Sequence, residues 1–166
     1  MGDQTILEGK KILIVDDEPD VVETLKELLG MCVIETATDF EAGEKLLASN
    51  KYDIAILDIM GVNGYELLKT ANKNAVPALM LTANALTADD FAKSLSQGAV
   101  AFIPKEKMVE IPVYLTDLLK AQAGTEKPHR WFSRLESFFD KIFGINQTYH
   151  EIKSEYIKKH GPIHDV

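Results

Sequence analysis

The stretch Lys11–Pro19 limits the possible folds of this sequence more than any other. Four apolar, β-prone residues are followed by three acids and a proline. Such a run predicts a buried strand of a parallel sheet, and Pro19 fits the first turn of a following helix. We therefore expect Asp16 and Asp17 at the carboxyl end of a strand, where open α/β sheets bind ligands. Taken alone, the two acids are equally compatible with a simple helix cap.

Apolar strand patterns alternate with amphipathic helix patterns along the chain. Helix signals include the capping residues Asp39 and Thr87, a capping-box spacing at Asn63–Glu66, and a proline at position 112. The predicted strands cover residues 12–15, 32–37, 53–57, 77–81 and 100–103. This alternation predicts an α/β fold with a doubly wound five-stranded parallel sheet.

Several polar residues follow directly after these predicted strands. They are Asp16, Asp17, Asp58, Thr82 and Lys105. Because the carboxyl ends of parallel strands lie at one edge of the sheet, we expect these side chains to converge there. Individually, Asp58 is also typical of a helix cap, Thr82 of a strand-end hydroxyl and Lys105 of a solvated loop lysine.

Three neighbouring carboxylates repel each other unless a cation neutralises them. A set of oxygen ligands without His or Cys favours Mg²⁺. A carboxylate beside such an ion can act as a nucleophile toward phosphorus. Lys105 could neutralise the oxygens of a transferred phosphoryl group, and the hydroxyl of Thr82 could donate a hydrogen bond to one of them.

Composition and charge limit the function classes. The formal net charge of −8 argues against a general nucleic-acid surface, and the single cysteine excludes an intramolecular disulfide and fits a reducing compartment. We expect a cytoplasmic protein, because no secretory signal pattern and no membrane-length apolar run is present. The acidic excess ends near Gly124, which predicts a tail (1–9), a main domain (10–124) and an extension (125–166).

The main domain resembles the receiver domains of two-component response regulators. The acids that follow the first strand resemble the family's acidic motif, and Leu57–Met60 resembles its phosphoacceptor motif. Leu81–Ala83 resembles the switch hydroxyl motif, and Phe102–Lys105 the switch aromatic and lysine. The resemblance implies a flavodoxin-like sheet with strand order 2-1-3-4-5.

The family resemblance also implies roles for individual residues. Asp58 would accept a phosphoryl group from a sensor histidine kinase, a phosphotransfer protein or a small acyl phosphate. Mg²⁺ would be held directly by Asp17, Asp58 and the Met60 carbonyl, and by Asp16 through water. Lys105 would contact the phosphoryl group.

The same resemblance implies a switch. Thr82 would move toward the phosphoryl group, and the ring of Phe102 would turn into the vacated space. The surface formed by the fourth helix, fifth strand and fifth helix would then change shape. Without the surrounding motif, we would interpret Phe102 as an ordinary core residue.

The loop after Asp58 differs from the family pattern. It is shorter, and Gly61 stands where a proline region is usual. We expect Gly61 to supply unusual backbone angles that let the loop close over the metal. Glu106 also replaces the usual proline after the active-site lysine.

The extension is predicted to be helical. Trp131, Phe132, Leu135, Phe138, Phe139, Ile142 and Phe143 form a broad apolar stripe, which we expect to pack on the main domain or on a second subunit rather than on a membrane. Thr148–Glu151 is a second capping-box candidate. The four histidines lack a trusted ligand spacing and are predicted to be surface residues.

Together these features predict a receiver-only response regulator that signals by protein–protein contact and is not an enzyme beyond Mg²⁺-dependent phosphorylation and dephosphorylation of Asp58. A kinase or phosphotransfer protein is the expected upstream partner. A homodimer or an effector would bind through the fourth helix, fifth strand and fifth helix or through the aromatic helix. The alternatives are a phosphorelay intermediate, a metal-dependent phosphatase and a phosphorylation-independent scaffold.

Overall fold

The computed structural model describes residues 4–83 and 87–162. Within these ranges the strands are β1 (Lys11–Val15), β2 (Val33–Ala37), β3 (Ile54–Asp58), β4 (Ala78–Thr82) and β5 (Ala101–Pro104). The helices are α1 (Pro19–Leu28), α2 (Phe40–Ser49), α3 (Gly64–Lys73), α4 (Ala88–Ser96), α5 (Ile111–Gln122), α6 (Arg130–Phe143) and α7 (Gln147–His160). Short 3₁₀ turns cover Thr5–Leu7 and Lys105–Glu110.

The five strands form one parallel sheet in the order β2-β1-β3-β4-β5. The predicted doubly wound, flavodoxin-like fold is therefore confirmed. β1, β3, β4 and β5 are almost entirely buried, as expected for strands covered on both faces, whereas the edge strand β2 is partly exposed. This order places the carboxyl ends of β1, β3 and β4 side by side.

The predicted capping residues are confirmed for α2 and α4 but not for α3. Asp39 and Thr87 cap α2 and α4 as expected, accepting hydrogen bonds from Ala42 N and Asp90 N. The capping box at Asn63 does not form, because Asn63 adopts a left-handed backbone (φ 54°, ψ 58°) and its side chain makes no cap hydrogen bond. A capping side chain typically reaches the helix from an extended backbone, which Asn63 does not adopt.

The second helix of the extension begins two residues earlier than predicted. Asn146, and not Thr148, caps α7, with its side chain accepting a hydrogen bond from Tyr149 N at 3.0 Å. The segment before β1 also contributes to the core, since Leu7 is fully buried.

The apolar stripe of α6 packs on the main domain except at Ile142, which is 44 % exposed, and α7 packs beside it on α4. Trp131, Phe132, Phe139 and Tyr149 are fully buried. The prediction that His129 lies on the surface is wrong. It is only 1 % exposed, because it begins the helix whose apolar face is covered.

No helix among the described residues combines the length and apolar character needed to cross a membrane.

Candidate functional site

Three aspartates converge at the carboxyl edge of the sheet. Asp16 follows β1 and Asp58 ends β3, and these neighbouring strands bring the two side chains together. Asp16 is fully buried and Asp58 is 4 % exposed, whereas Asp17 is exposed. Carboxylate oxygens of all three residues lie within 4.8 Å of one another. The predicted acidic cluster is therefore present as a compact group.

Lys105 provides the positive charge of this cluster. Its Nζ lies 2.9 Å from Asp16 Oδ2 and 3.1 Å from Asp58 Oδ1. It also donates to Glu18 Oε1 at 2.6 Å. The lysine is thus held between three carboxylates. Glu18 is not among the predicted site residues, although its position directly after Asp16 and Asp17 could have indicated that it belongs to the site.

Burial and charge shift the titration of these groups. Burial raises the pKa of Asp58, and the charge of Lys105 only partly opposes this effect. Burial likewise raises the pKa of Asp16, opposed by its hydrogen bonds to the Glu18 backbone and to Lys105. Burial lowers the pKa of Lys105, but the hydrogen bonds to Glu18 and Asp16 outweigh it and the net shift is upward. The site therefore holds a fixed cation beside carboxylates that are costly to ionise.

The loop after Asp58 supplies a backbone hydrogen-bond donor and contains two glycines that lie very close to other atoms of the site. Gly61 N donates to Asp58 Oδ2 at 3.2 Å. A Cβ at Gly61 would lie 2.2 Å from Asp17 Oδ1, and one at Gly64 would lie 2.2 Å from the Asp58 carbonyl. The expectation that Gly61 provides unusual backbone angles is wrong, since the positive φ of this loop belongs to Asn63. Gly61 is needed for space instead.

The remaining predicted residues have different surroundings. Met60 is 74 % exposed, and its carbonyl accepts a hydrogen bond from Asn63 N at 3.1 Å, which leaves a second lone pair. Thr82 is buried at the end of β4, in register with Pro104. Phe102 is fully buried on β5, and no sequence signal identified its neighbours.

The acidic cluster fits a small divalent cation. Its described donors are all oxygens, which Mg²⁺ prefers. Asp16 Oδ2 is buried, and the Lys105 ammonium at 2.9 Å is its one neighbouring donor among the described residues, which leaves a lone pair of this oxygen available. An acceptor in this state has room for a further donor, such as a water bound to a cation. Asp16, Asp17 and Asp58 are the side chains that could hold the ion.

The family model for the response regulator receiver domain matches residues 12–114. This match covers more than half of the chain, and the chain therefore belongs to the response regulator receiver family. Receiver domains are signalling proteins, generally not classical enzymes, and typically bind Mg²⁺ through an acidic pocket. This chain likewise has a cluster of three aspartates, Asp16, Asp17 and Asp58.

Curated relatives agree with this assignment. The response regulator SaeR of Staphylococcus aureus (strain USA300) is 37 % identical over 126 residues, which cover 66 % of this chain and 52 % of SaeR. The transcriptional regulatory protein TctD of Salmonella typhimurium (strain LT2) is 31 % identical over 121 residues, covering 69 % of this chain and 54 % of TctD. The chain thus spans about half the length of these relatives.

Solved structures show the same fold. A CheY-like response regulator receiver domain protein from Methanospirillum hungatei JF-1 superposes with a TM-score of 0.59 at 25 % identity, covering 69 % of this chain and 99 % of that one. A putative response regulator from Chloroflexus aurantiacus J-10-fl gives a TM-score of 0.59 at 26 % identity, with the same coverage.

Proposed function

We propose that this chain is a phosphorylation-controlled response regulator whose phosphoacceptor is Asp58. A sensor histidine kinase, a phosphotransfer protein or a small acyl phosphate would supply the phosphoryl group. The observation that carries the proposal is the position of Asp58, a buried carboxylate with Lys105 on one oxygen and two further aspartates beside it. We further propose that it acts in the cytoplasm and signals by protein–protein contact.

The reaction is a displacement at phosphorus. A carboxylate oxygen of Asp58 forms the new P–O bond, and the bond from phosphorus to the donor breaks, with its electron pair leaving on the donor atom. That donor atom is an imidazole nitrogen of the kinase or a carboxylate oxygen of an acyl phosphate. The raised pKa of Asp58 indicates a carboxylate with little solvation to lose before it attacks.

The surrounding residues stabilise charge on the transferred group. The Lys105 ammonium lies 3.1 Å from Asp58 Oδ1 and can follow the phosphoryl oxygens as they arrive. Gly61 N–H holds Oδ2 and thereby orients the carboxylate. Mg²⁺, held by Asp17, Asp58 and the Met60 carbonyl, with Asp16 acting through water, would supply further charge neutralisation. Thr82 would donate its hydroxyl to a phosphoryl oxygen.

The test is intact-mass measurement after incubation with acetyl phosphate and Mg²⁺. We expect a single phosphoryl adduct in the wild type and in Asp20→Asn, a control that changes an exposed aspartate of α1. We expect no adduct in Asp58→Asn or when Mg²⁺ is chelated. An adduct that persists in Asp58→Asn would refute the assignment, and the absence of any adduct in the wild type would favour a phosphorylation-independent scaffold.

A further inference from the structure

The two helices of the extension cover one face of the receiver domain. Phe91 of α4 is the centre of this contact. Its ring centroid lies 5.6 Å from Phe132, 5.0 Å from Phe139 and 5.8 Å from Phe143 of α6, and 5.5 Å from Tyr149 of α7. All five rings are buried. The surface formed by α4, β5 and α5, which we call the covered face, is therefore already occupied by this chain itself.

The covered face is connected to the candidate site through β5. Phe102 on this strand contacts Phe91 at a centroid distance of 5.5 Å and Phe139 at 6.0 Å. Lys105, which binds Asp16 and Asp58, follows three residues later in the chain. A change at the acidic cluster that moves Lys105 or the end of β5 would therefore act close to the Phe102 ring, against which α6 packs.

An ion pair between a buried carboxylate and a partly exposed arginine adds a chemical requirement to this contact. Asp117 on α5 is 5 % exposed, and Arg134 of α6 donates to both of its oxygens. A carboxylate buried to this degree is costly without a cation. Any helix that replaces α6 on the covered face must therefore also present a cation to Asp117.

The docking of the extension is imperfect. Among the described residues, a solvent-open groove of about 500 Å³ remains between α4, α5 and α7, with Leu95, Leu118 and Ile152 in its lining. The Nδ1 of His129 is buried and finds no hydrogen-bond partner in the part of the chain that the structure describes. The apolar surface left in the groove and the unpaired nitrogen both reduce the free energy gained on docking.

We propose that α6 and α7 are an intramolecular competitor on the covered face, and that phosphorylation of Asp58 weakens their hold so that a partner's helix can replace them. The partner would present an amphipathic helix with aromatic residues on one side and an arginine opposite Asp117. This inference rests on the function proposed above. It adds the regulation of that site and the kind of partner that receives the signal.

The direction of the effect follows from packing. Phe102 is fully buried and its ring contacts both Phe91 and Phe139, so a movement of this ring on phosphorylation would break the contact with Phe139 and open a void under α6. Voids in a packed interface are costly, since the lining atoms lose their partners. The connection from Gln122 to Arg130 is short, so the tethered helices have a high effective concentration. A free partner can therefore compete only after their hold has weakened.

The first test is hydrogen–deuterium exchange of the full chain with and without acetyl phosphate and Mg²⁺, with the phosphoryl adduct measured by mass in the same samples. We expect amides of residues 130–160 to exchange at least tenfold faster when the adduct is present, while β1 and β3 keep their protection. Phe139→Ala should give faster exchange without phosphorylation. Ile142→Ala, which truncates a 44 % exposed residue of the same helix, should not.

The outcomes separate the two proposals. An adduct without faster exchange in residues 130–160 overturns the inference and leaves the proposed function intact. No adduct overturns the proposed function, and this inference with it. A doubled molar mass in light scattering, with α6 and α7 still protected, would mean that the helices are exchanged between two copies, which also overturns displacement by a partner.

The partner chemistry is tested with a synthetic peptide of residues 128–160, labelled with a fluorophore and titrated with the full chain. We expect its affinity for the phosphorylated chain to be at least tenfold higher than for the unphosphorylated chain. The same peptide with Arg134→Ala should bind at least tenfold more weakly. Equal binding of both peptides would overturn the requirement for an arginine, and no binding to the phosphorylated chain would overturn the covered face as a helix-binding surface.

Discussion

Replacing Gly61 by alanine should damage the metal site without damaging the fold. A Cβ at this position would lie 2.2 Å from Asp17 Oδ1 and 2.3 Å from Asp17 Cγ and Oδ2. The Asp17 side chain is exposed, and so it can rotate away at little cost to stability. Gly61 is not among the glycines with a positive φ, so its backbone accepts alanine. The strain therefore falls on one carboxylate of the acidic cluster.

The size of the effect follows from this distance. To restore an ordinary contact, the Asp17 carboxylate must retreat by about 1 Å, whereas Mg²⁺ requires oxygen ligands at roughly 2.0–2.1 Å in near-octahedral geometry. Disturbing groups that position metal ligands typically costs about 10–100-fold in affinity, or about 1.4–2.7 kcal/mol. The free energy of unfolding without Mg²⁺ should change by less than about 1 kcal/mol.

The assay is a thermal-unfolding titration with Mg²⁺, because an ion that binds only the folded state raises Tm according to its concentration and Kd. Gly30→Ala is the matched control, since a Cβ there meets only the Glu27 carbonyl at 3.7 Å. We expect the Gly61→Ala titration to shift to at least tenfold higher Mg²⁺, and that of Gly30→Ala to match the wild type. If Gly61→Ala binds Mg²⁺ with wild-type affinity, Asp17 is not held against this glycine as a metal ligand.

Three further predictions concern charge. Because burial raises the pKa of Asp58, its ionised form destabilises the folded state at neutral pH. Asp58→Asn should therefore raise the free energy of unfolding in urea without Mg²⁺, and raise it by less with saturating Mg²⁺; a loss of stability without Mg²⁺ would contradict this. A double-mutant cycle between Asp117→Ala and Arg134→Ala should give a coupling of about 1–3 kcal/mol in the free energy of unfolding. Arg134→Ala should be the more destabilising single change, because it leaves a buried carboxylate unpaired. A coupling near zero would refute the pairing. Burial lowers the pKa of His160, so that as the pH falls the unfolded chain takes up this proton before the folded chain does. Stability should therefore fall as the pH decreases below about 6.5. Between pH 7.5 and 5.5, Tm should fall further in the wild type than in His160→Gln.

The sheet and the residues at its edge were predictable because both depend on local patterns. Short apolar runs that end at Asp16, Asp58 and Thr82 indicate strands, and the parallel arrangement brings their ends together. The cap at Asp39 was equally local, since the side chain needs only the following turn. Spacing alone was insufficient at Asn63, because the backbone angle of that residue depends on how the preceding loop packs.

The sequence did not indicate which surface the extension covers. An apolar stripe predicts that a helix is buried, but it carries no information on the surface that buries it. The contacts of Phe139 with Phe91 and Phe102 depend on residues far apart in the chain. His129 was predicted to be exposed because the four histidines lack a trusted ligand spacing, and it is buried where α6 docks. Glu18 was overlooked for a similar reason, since its contact with Lys105 joins distant segments.

The short loop after Asp58 shows how a departure from a family pattern can be accommodated. The loop has fewer residues with which to bring its backbone back to the carboxylate, so the chain must pass closer to the site. Gly61 lies against Asp17, Gly64 lies against the Asp58 carbonyl, and neither contact leaves room for a Cβ. Asn63, a residue type that tolerates left-handed angles, makes the turn itself. Because the backbone donor at Gly61 still reaches Asp58 at 3.2 Å, shortening the loop preserves the orientation of the proposed phosphoacceptor and concentrates the steric constraint on two glycines.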